Sequence, residues 1–139
     1  MATSTASTVN GVDFVSIPVT DLEASESFYR DALGLRLSKH WQRPGEEAMG
    51  AEFEPGTVTL ALIDCAKIGI EFQSTRVPIA LHVDDFDAAR ATLEERGVEF
   101  QSEKIDSGVC NMIAFRDPDG NALMIHHRYA PEGARPSAI

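Results

Sequence analysis

The stretch that decides the fold is VSIPVTDL, residues 15–22, because IALHVDDF answers it 64 residues later, at residues 79–86. A second pair has the same spacing: PGTVTL, residues 55–60, is answered by DGNALM, residues 119–124. A duplicate of this length exceeds the period of roughly 20–50 residues that solenoid repeats have. The sequence therefore predicts one domain of two similar modules that face each other, with the functional site in the space between them.

The first of these stretches is typical of a half-buried β-strand that leads into a helix. β-forming apolar residues alternate with a mixed set along the strand. The sequence TDLE at residues 20–23 then matches the S/T-x-x-E capping box, which predicts that a helix begins here. Gly34 stands where a C-terminal cap belongs. We expect the apolar stripe of this helix to pack against strand residues 15, 17 and 19.

Turn signals divide the remainder of each module into strands. Prolines and glycines at residues 44–45 and 55–56 separate three predicted strands, so the first module has the order βαβββ. The second module repeats this order, and its helix is predicted to begin at Asp84 or Asp85 and to end at Arg96 before Gly97. The predicted strands are 14–19, 35–42, 47–54 and 57–64 in the first module and 78–83, 98–104, 109–116 and 121–128 in the second.

These elements predict a single domain at residues 11–129, with module one at about 12–64 and module two at about 77–128. Residues 1–10 are rich in Ser, Thr and Ala, and residues 130–139 contain two prolines and a glycine. Both ends are predicted to be flexible tails.

Composition argues against several classes of partner. The chain has 22 acidic and 12 basic side chains and a net charge of −10, which opposes the counterion release that nucleic-acid binding requires. No apolar stretch reaches the roughly 18–20 residues of a membrane span, and residues 1–8 do not resemble a signal peptide. We therefore expect a cytoplasmic protein with no nucleic-acid or membrane partner. Cys65 and Cys110 are expected to be free, buried thiols.

Three longer motifs carry a family resemblance. Residues 19–25 (VTDLEAS), 28–35 (FYRDALGL) and 115–121 (FRDPDGN) resemble the vicinal oxygen chelate superfamily, which includes glyoxalase I, extradiol dioxygenases, and the bleomycin and fosfomycin resistance proteins. The resemblance spans about residues 12–128. It implies an α+β fold in which two tandem βαβββ modules form curved mixed sheets around a cleft, with the helices on the convex side.

The resemblance also implies a place for a divalent metal, held by the first and last strands of each module. The repeat assigns these places to Phe14, Leu60, Pro78 and Met124. Zn²⁺, Fe²⁺ and Mn²⁺ bind imidazole, carboxylate or thiolate groups, and all four of these side chains are apolar or a thioether. We therefore expect no metal cofactor at the family's usual site.

Two histidines are predicted to face the cleft instead. Strand parity puts His82 and His126 on inward faces, and their strands should be neighbours. Glu52 would face the same side and complete a two-histidine, one-carboxylate site, so a divalent metal at this displaced position is the alternative. Either histidine could also transfer a proton without metal, which makes both candidate catalytic residues.

Other residues of the predicted cleft suit a small apolar molecule. Phe14 and Trp41 could stack on a planar ligand, and parity places residues 36, 38 and 40 on the same side. The predicted ligand-binding residues are Phe14, Ser16, Trp41, Glu52, Leu60, Leu62, Pro78, His82, Met124 and His126.

Three functions remain open from the sequence. The first is a metal-free protein, similar to the bleomycin-resistance branch, that binds or sequesters a small hydrophobic or aromatic molecule. The second is a metal-dependent lyase, isomerase or dioxygenase that uses a displaced site at His82 and His126. The third is a structural module whose cleft is filled by its own side chains. The resemblance also implies a homodimer with two equivalent clefts.

Overall fold

The computed structural model describes residues 6–136 of the chain. Each half contains a strand, a helix and three further strands, as the repeat predicts. The first half comprises β1 (Phe14–Val19), α1 (Leu22–Ser27) continued by a π-helical turn (Phe28–Ala32), β2 (Arg36–Trp41), β3 (Gly50–Glu54) and β4 (Thr59–Asp64). After a 3₁₀ turn (Cys65–Ile68), the second half comprises β5 (Ile79–His82), α2 (Phe86–Glu95), β6 (Ile105–Asp106), β7 (Cys110–Arg116) and β8 (Ala122–Arg128).

The strands form two mixed sheets of identical topology. Their orders are β1-β4-β3-β2 and β5-β8-β7-β6, with the first two strands of each sheet parallel and the others antiparallel. The predicted α+β class with two tandem βαβββ modules is therefore confirmed. Of the predicted tails, residues 1–5 and 137–139 lie outside the described residues, and residues 6–10 and 130–136 contain no helix or strand.

One predicted strand is largely absent from the described chain. Residues 98–104 contribute only an isolated bridge between Phe100 and Phe115, and β6 begins later, at Ile105. Residues 101–104 are polar and exposed. They offer no apolar side chain that could hold a full edge strand against the core.

An aspartate caps the start of each helix. Asp21 is the N-cap of α1 and accepts a hydrogen bond from the backbone N–H of Ala24 at 3.1 Å, and Asp85 caps α2 through Ala88 at 3.0 Å. The predicted start at Asp85 is confirmed, whereas the capping box that begins at Thr20 is wrong by one residue. A carboxylate accepts the orphan N–H as well as a hydroxyl does, and this frees Thr20 for another contact.

The helix-packed faces of the two sheets share one core. From the first sheet, Ile17 and Phe53 are completely buried, and so are Ile113 and Phe115 from the second. Phe28, at the end of α1, reaches across the junction, with its ring centroid 6.5 Å from that of Phe115. The two modules therefore meet through their helical sides. The opposite side of each sheet, which we call its outer face, points away from the other module.

A polar cluster that includes the buried Asn121 joins the two modules at this junction. Asn121 donates from Nδ2 to the carbonyl of Pro18 at 2.7 Å, and its Oδ1 accepts from the backbone N–H of Thr75 at 2.8 Å. Asp119 accepts from the backbone N–H of Thr20 at 3.0 Å and from the hydroxyl of Ser25 at 3.3 Å. The DPDGN motif of module two thus binds β1 and α1 of module one, which gives it a structural role.

Candidate functional site

The pairing of β1 with β4 decides which side chains of the first sheet face outward. Val15 pairs with Leu60 and Ile17 with Leu62. All four are part of the helix-packed core, and Leu60 and Leu62 are only 3% and 0% exposed. The prediction that these two leucines line the cleft on the outer face is therefore wrong.

The error arises because the repeat is not uniform. Ile79 pairs with Leu123, which makes Leu123 the counterpart of Leu60. The offset between the modules is thus 64 residues in the first strand and 63 in the last. Ala61, rather than Leu60, occupies in β4 the place that Met124 occupies in β8. A shift of one residue exchanges the two faces of a strand.

An aromatic pair lies on the outer face of the first sheet. The rings of Phe14 and Trp41 meet edge to face with centroids 5.3 Å apart, and Phe14 is 42% exposed. Gly50 pairs with Trp41 across the sheet, and a Cβ at this glycine would lie 3.3 Å from the indole. The missing side chain lets the indole lie close against the sheet. Ser16 is exposed on the neighbouring part of β1.

Carboxylates supply the polar groups of this surface. Glu52 accepts a hydrogen bond from Nε1 of Trp41 and lies 3.5 Å from the ammonium of Lys39. Glu54 accepts from the hydroxyls of Thr59 at 2.6 Å and Ser38 at 2.7 Å. These two hydrogen bonds hold the pKa of the Glu54 carboxyl below its ordinary value, because they stabilise the ionised form.

A bulge in β2 changes the predicted parity. The register shifts between Leu37 and Lys39, so that Lys39 pairs with Glu52 while His40 pairs with the buried Ala51. His40 then contacts Glu26 on α1. The prediction that His40 faces the cleft is therefore wrong, because an extra residue in one strand turns those after it to the other side.

The predicted histidines lie on the outer face of the second sheet. His82 and His126 are register partners in the parallel pair of β5 and β8, so the prediction that their strands are neighbours is confirmed. The side chain of His82 is 69% exposed, and its Nε2 lies 2.9 Å from Oδ1 of Asp84. Met124 follows on the same face, half-buried, and Pro78 directly precedes β5.

Glu52 does not join these histidines within one chain. It lies on β3 of the first sheet, whereas His82 and His126 lie on the second sheet, and the helical sides of both sheets stand between these outer faces. Residues 6–136 contain no group of three or more His, Cys, Asp or Glu side chains that could hold a metal ion. A single chain therefore does not assemble the two-histidine, one-carboxylate arrangement.

A cavity lies elsewhere, between the modules. This inter-module pocket has a volume of about 790 Å³ and opens on the helical side of the edge strands β1 and β5. Strand parity did not reveal it, because it depends on how the two modules pack. Its walls include Leu60, a predicted ligand-binding residue, and His82 lies at its border. Six of its lining residues are Val15, Leu60, Leu81, Ala89, Leu93 and Ile125.

The fold and the motifs define a protein of the vicinal oxygen chelate type. Residues 11–125 match the family model of the glyoxalase/bleomycin resistance protein/dioxygenase superfamily. The chain belongs to this superfamily.

Individual relatives agree with this assignment. The chain is 26% identical over 122 residues to glutathione transferase FosA of Serratia marcescens, covering 85% of this chain and 81% of the relative. A glyoxalase/bleomycin resistance protein/dioxygenase from Nocardioides is 28% identical with a TM-score of 0.72, covering 96% of this chain and 92% of that one. TnmS3, an antibiotic-binding protein from Streptomyces sp. CB03234, is 26% identical with a TM-score of 0.71, covering 88% and 99%. Among residues 6–136, no helix has the length and apolar character needed to cross a membrane.

Proposed function

We propose that this protein binds a small hydrophobic or aromatic molecule on the outer face of its first sheet, at Phe14 and Trp41. The observation that carries the proposal is the exposed edge-to-face contact of these two rings, 5.3 Å apart at their centroids. Ligand sites combine apolar, often aromatic, walls with a few fixed polar groups. Glu52, which is bonded to the indole N–H and only 14% exposed in its side chain, supplies such a group.

The relatives support a small-molecule function. TnmS3 is described as an antibiotic-binding protein and FosA as a glutathione transferase. Both descriptions involve small molecules, and their chains align with most of this one. The identity of this chain's ligand does not follow from these relatives, since the residues of its own outer faces determine what binds.

The proposed binding does not use the metal that the superfamily's enzymes require. The implied ligand positions hold Phe14, Ala61, Pro78 and Met124 after correction of the register in β4. None of these side chains offers the imidazole, carboxylate or thiolate that Zn²⁺, Fe²⁺ or Mn²⁺ needs. These residues do not fit such an ion, and no step of the proposed function depends on one.

We also propose that the protein forms a homodimer. The outer faces of both sheets are open in one chain, where Phe14 is 42% exposed and Ile105 48%. In a homodimer, the second sheet of the partner would cover the aromatic pair of the first and enclose the ligand. The exposure of Phe14 also argues against a cleft that the chain fills with its own side chains.

The test uses the single tryptophan of the chain, Trp41. Titration with 1-aminoanthracene, a planar aromatic probe, should quench the Trp41 emission with a saturable curve. Phe14→Ala should weaken binding at least tenfold, because it removes half of the aromatic surface. Tyr129→Ala is the matched control, since Tyr129 is a similarly exposed aromatic residue at 47% and follows β8.

Equal affinities of the two variants would overturn the assignment of the site. Elemental analysis of protein purified without a metal-affinity tag completes the test. Stoichiometric metal that disappears in the His82→Ala and His126→Ala variants would favour the metalloenzyme instead.

A further inference from the structure

We propose that the inter-module pocket is a second ligand site, separate from the outer faces, and that it takes an aliphatic monocarboxylate. The pocket lies on the opposite side of the first sheet from Phe14 and Trp41 and reaches His82 of the second sheet only at its border, so this site stands independently of the proposed function. Its volume of about 790 Å³ falls within the roughly 300–1,000 Å³ that small-molecule sites have.

At one helix position that borders the pocket, the second module departs from the first. The 64-residue offset places Thr92 of α2 where module one has Phe28. Phe28 fills its surroundings, packing edge to face on Tyr29 at 5.4 Å and against Phe115. Thr92 is much smaller and lines the pocket, together with Ala88 and Ala89 on the same helix. Small residues on α2 thus leave open the space that an aromatic ring fills in module one.

The walls of the pocket are suited to an aliphatic chain. The buried residues of its lining are Leu60, Leu93 and Ile125, which are 3%, 7% and 2% exposed. Among the residues that the structure describes, no Phe, Tyr or Trp lines it, so a bound aromatic ring would have only the imidazole of His82, at the border, to stack on. Branched aliphatic side chains instead surround the space on the sides of both modules. An aliphatic ligand would therefore bury its apolar surface against them without a requirement for ring geometry.

A single guanidinium favours an anionic head group. Arg96 lines the pocket at the end of α2, and its Nη1 donates a 3.0 Å hydrogen bond to the carbonyl of Ala32 in the other module. This contact fixes the group while leaving further N–H donors for a ligand. Within residues 6–136, no Asp or Glu lines the pocket, so the guanidinium faces no competing carboxylate from that part of the chain. Arginine binds carboxylates through paired, charge-assisted hydrogen bonds.

The test uses decanoate below its micelle concentration, with decylamine as the probe of opposite charge and 1-decanol as the neutral one. Calorimetry should show saturable binding of one decanoate per chain, and decylamine should bind at least tenfold more weakly. Thr92→Phe restores the residue of module one and should abolish decanoate binding. Ala91→Phe is the matched control, because Ala91 is exposed on the same helix and does not line the pocket.

Four further variants keep the result interpretable. If Thr92→Phe does not fold, as judged by circular dichroism, Ala89→Leu reduces the pocket by a smaller amount and should weaken decanoate binding. Arg96→Gln should weaken decanoate binding by about tenfold and leave 1-decanol binding unchanged, with Arg96→Lys restoring part of the loss. Phe14→Ala should leave decanoate binding intact, which would show that decanoate does not bind at the aromatic pair. The proposal would be overturned if decanoate still binds to Thr92→Phe, or if Phe14→Ala removes decanoate binding.

Discussion

The phenolic hydroxyl of Tyr29 donates a 2.7 Å hydrogen bond to Oδ2 of Asp117, joining the helical segment of module one to the DPDG turn of module two. Both residues are buried, at 0% and 6% exposure. The same carboxylate accepts from Nδ2 and the backbone N–H of Asn121 and from the backbone N–H of Asp119, each at 2.9 Å. Four donors therefore compensate one buried negative charge, and the whole arrangement spans the junction.

Removal of this carboxylate should loosen the junction. Asp117→Ala leaves the hydroxyl of Tyr29 and the amide of Asn121 without their acceptor, and we expect the free energy of unfolding to fall by about 3 kcal/mol. Urea denaturation followed by circular dichroism measures this loss. The chain offers a matched control in Asp106, which accepts a 2.7 Å hydrogen bond from Tyr129 at the surface. Asp106→Ala should change stability much less, and equal effects would contradict a special role of the junction.

Alkaline pH should unfold the protein through Tyr29. Burial, and then the negative charge of Asp117, raise the pKa of Tyr29 far above its ordinary value of 10.0. The folded chain therefore keeps this proton at a pH where the unfolded chain loses it. The resulting stability is fully present below about pH 10 and decreases above it by about 1.4 kcal/mol per pH unit.

Denaturation curves between pH 9 and pH 11.5 check this dependence. Tyr29→Phe should remove most of the decrease, because the variant has no buried phenol to ionise. The control is Tyr129→Phe: the hydrogen bond to Asp106 also raises the pKa of this exposed phenol, but its removal should take away only a smaller part of the decrease. A decrease that persists in Tyr29→Phe would assign the pH dependence to other groups.

The position of Trp41 should depend on the absence of a side chain at Gly50. A Cβ there would lie 2.7 Å from the carbonyl oxygen of Leu62 and 3.3 Å from the indole. Gly50→Ala should therefore destabilise the protein by about 2 kcal/mol and shift the Trp41 emission maximum as the ring moves. Gly11→Ala is the control, because among residues 6–136 no atom beyond its two chain neighbours lies within 4 Å of the place that a Cβ would take. An unchanged emission spectrum in Gly50→Ala would show that the glycine does not position the indole.

The N-cap of α1 should depend on Asp21 and not on the capping box of the sequence pattern. Asp21→Ala removes the acceptor for the N–H of Ala24 and should cost about 1 kcal/mol of stability. Glu23→Ala should have a clearly smaller effect, because Glu23 is exposed and its carboxylate is no part of the observed cap. Thermal unfolding of both variants distinguishes the two interpretations. A larger loss of stability in Glu23→Ala than in Asp21→Ala would instead support the capping box that the sequence pattern predicts.

Local patterns predicted the elements of this fold well. The alternation in residues 14–19 and the prolines and glycines after the strands predicted β1 to β4 close to their observed bounds, since turn residues and strand periodicity act over a few neighbours. Gly34 and Gly97 follow their helices with φ of 71° and 90°, where glycine has no steric penalty. The register of His82 and His126 also followed from the repeat.

The predictions for Leu60 and His40 are wrong for one geometric reason. The outer-face prediction for Leu60 applies the 64-residue offset to the last strand, where the offset is 63. The prediction for His40 assumes a regular strand, whereas β2 contains a bulge. Successive side chains of a strand alternate between faces, so a single-residue difference reverses every assignment after it. Neither difference leaves a signal within the strand itself.

The sequence by itself determined that two βαβββ modules exist, the approximate bounds of their helices, and that aromatic residues occupy positions 14 and 41. These properties depend on propensities and hydrogen bonds among near neighbours. Only the tertiary structure decided that the helical sides of the modules meet and that Thr92, in place of an aromatic ring, leaves a pocket between them. Such features depend on packing between segments far apart in the chain, where the volume of one side chain determines whether a space is filled or left open.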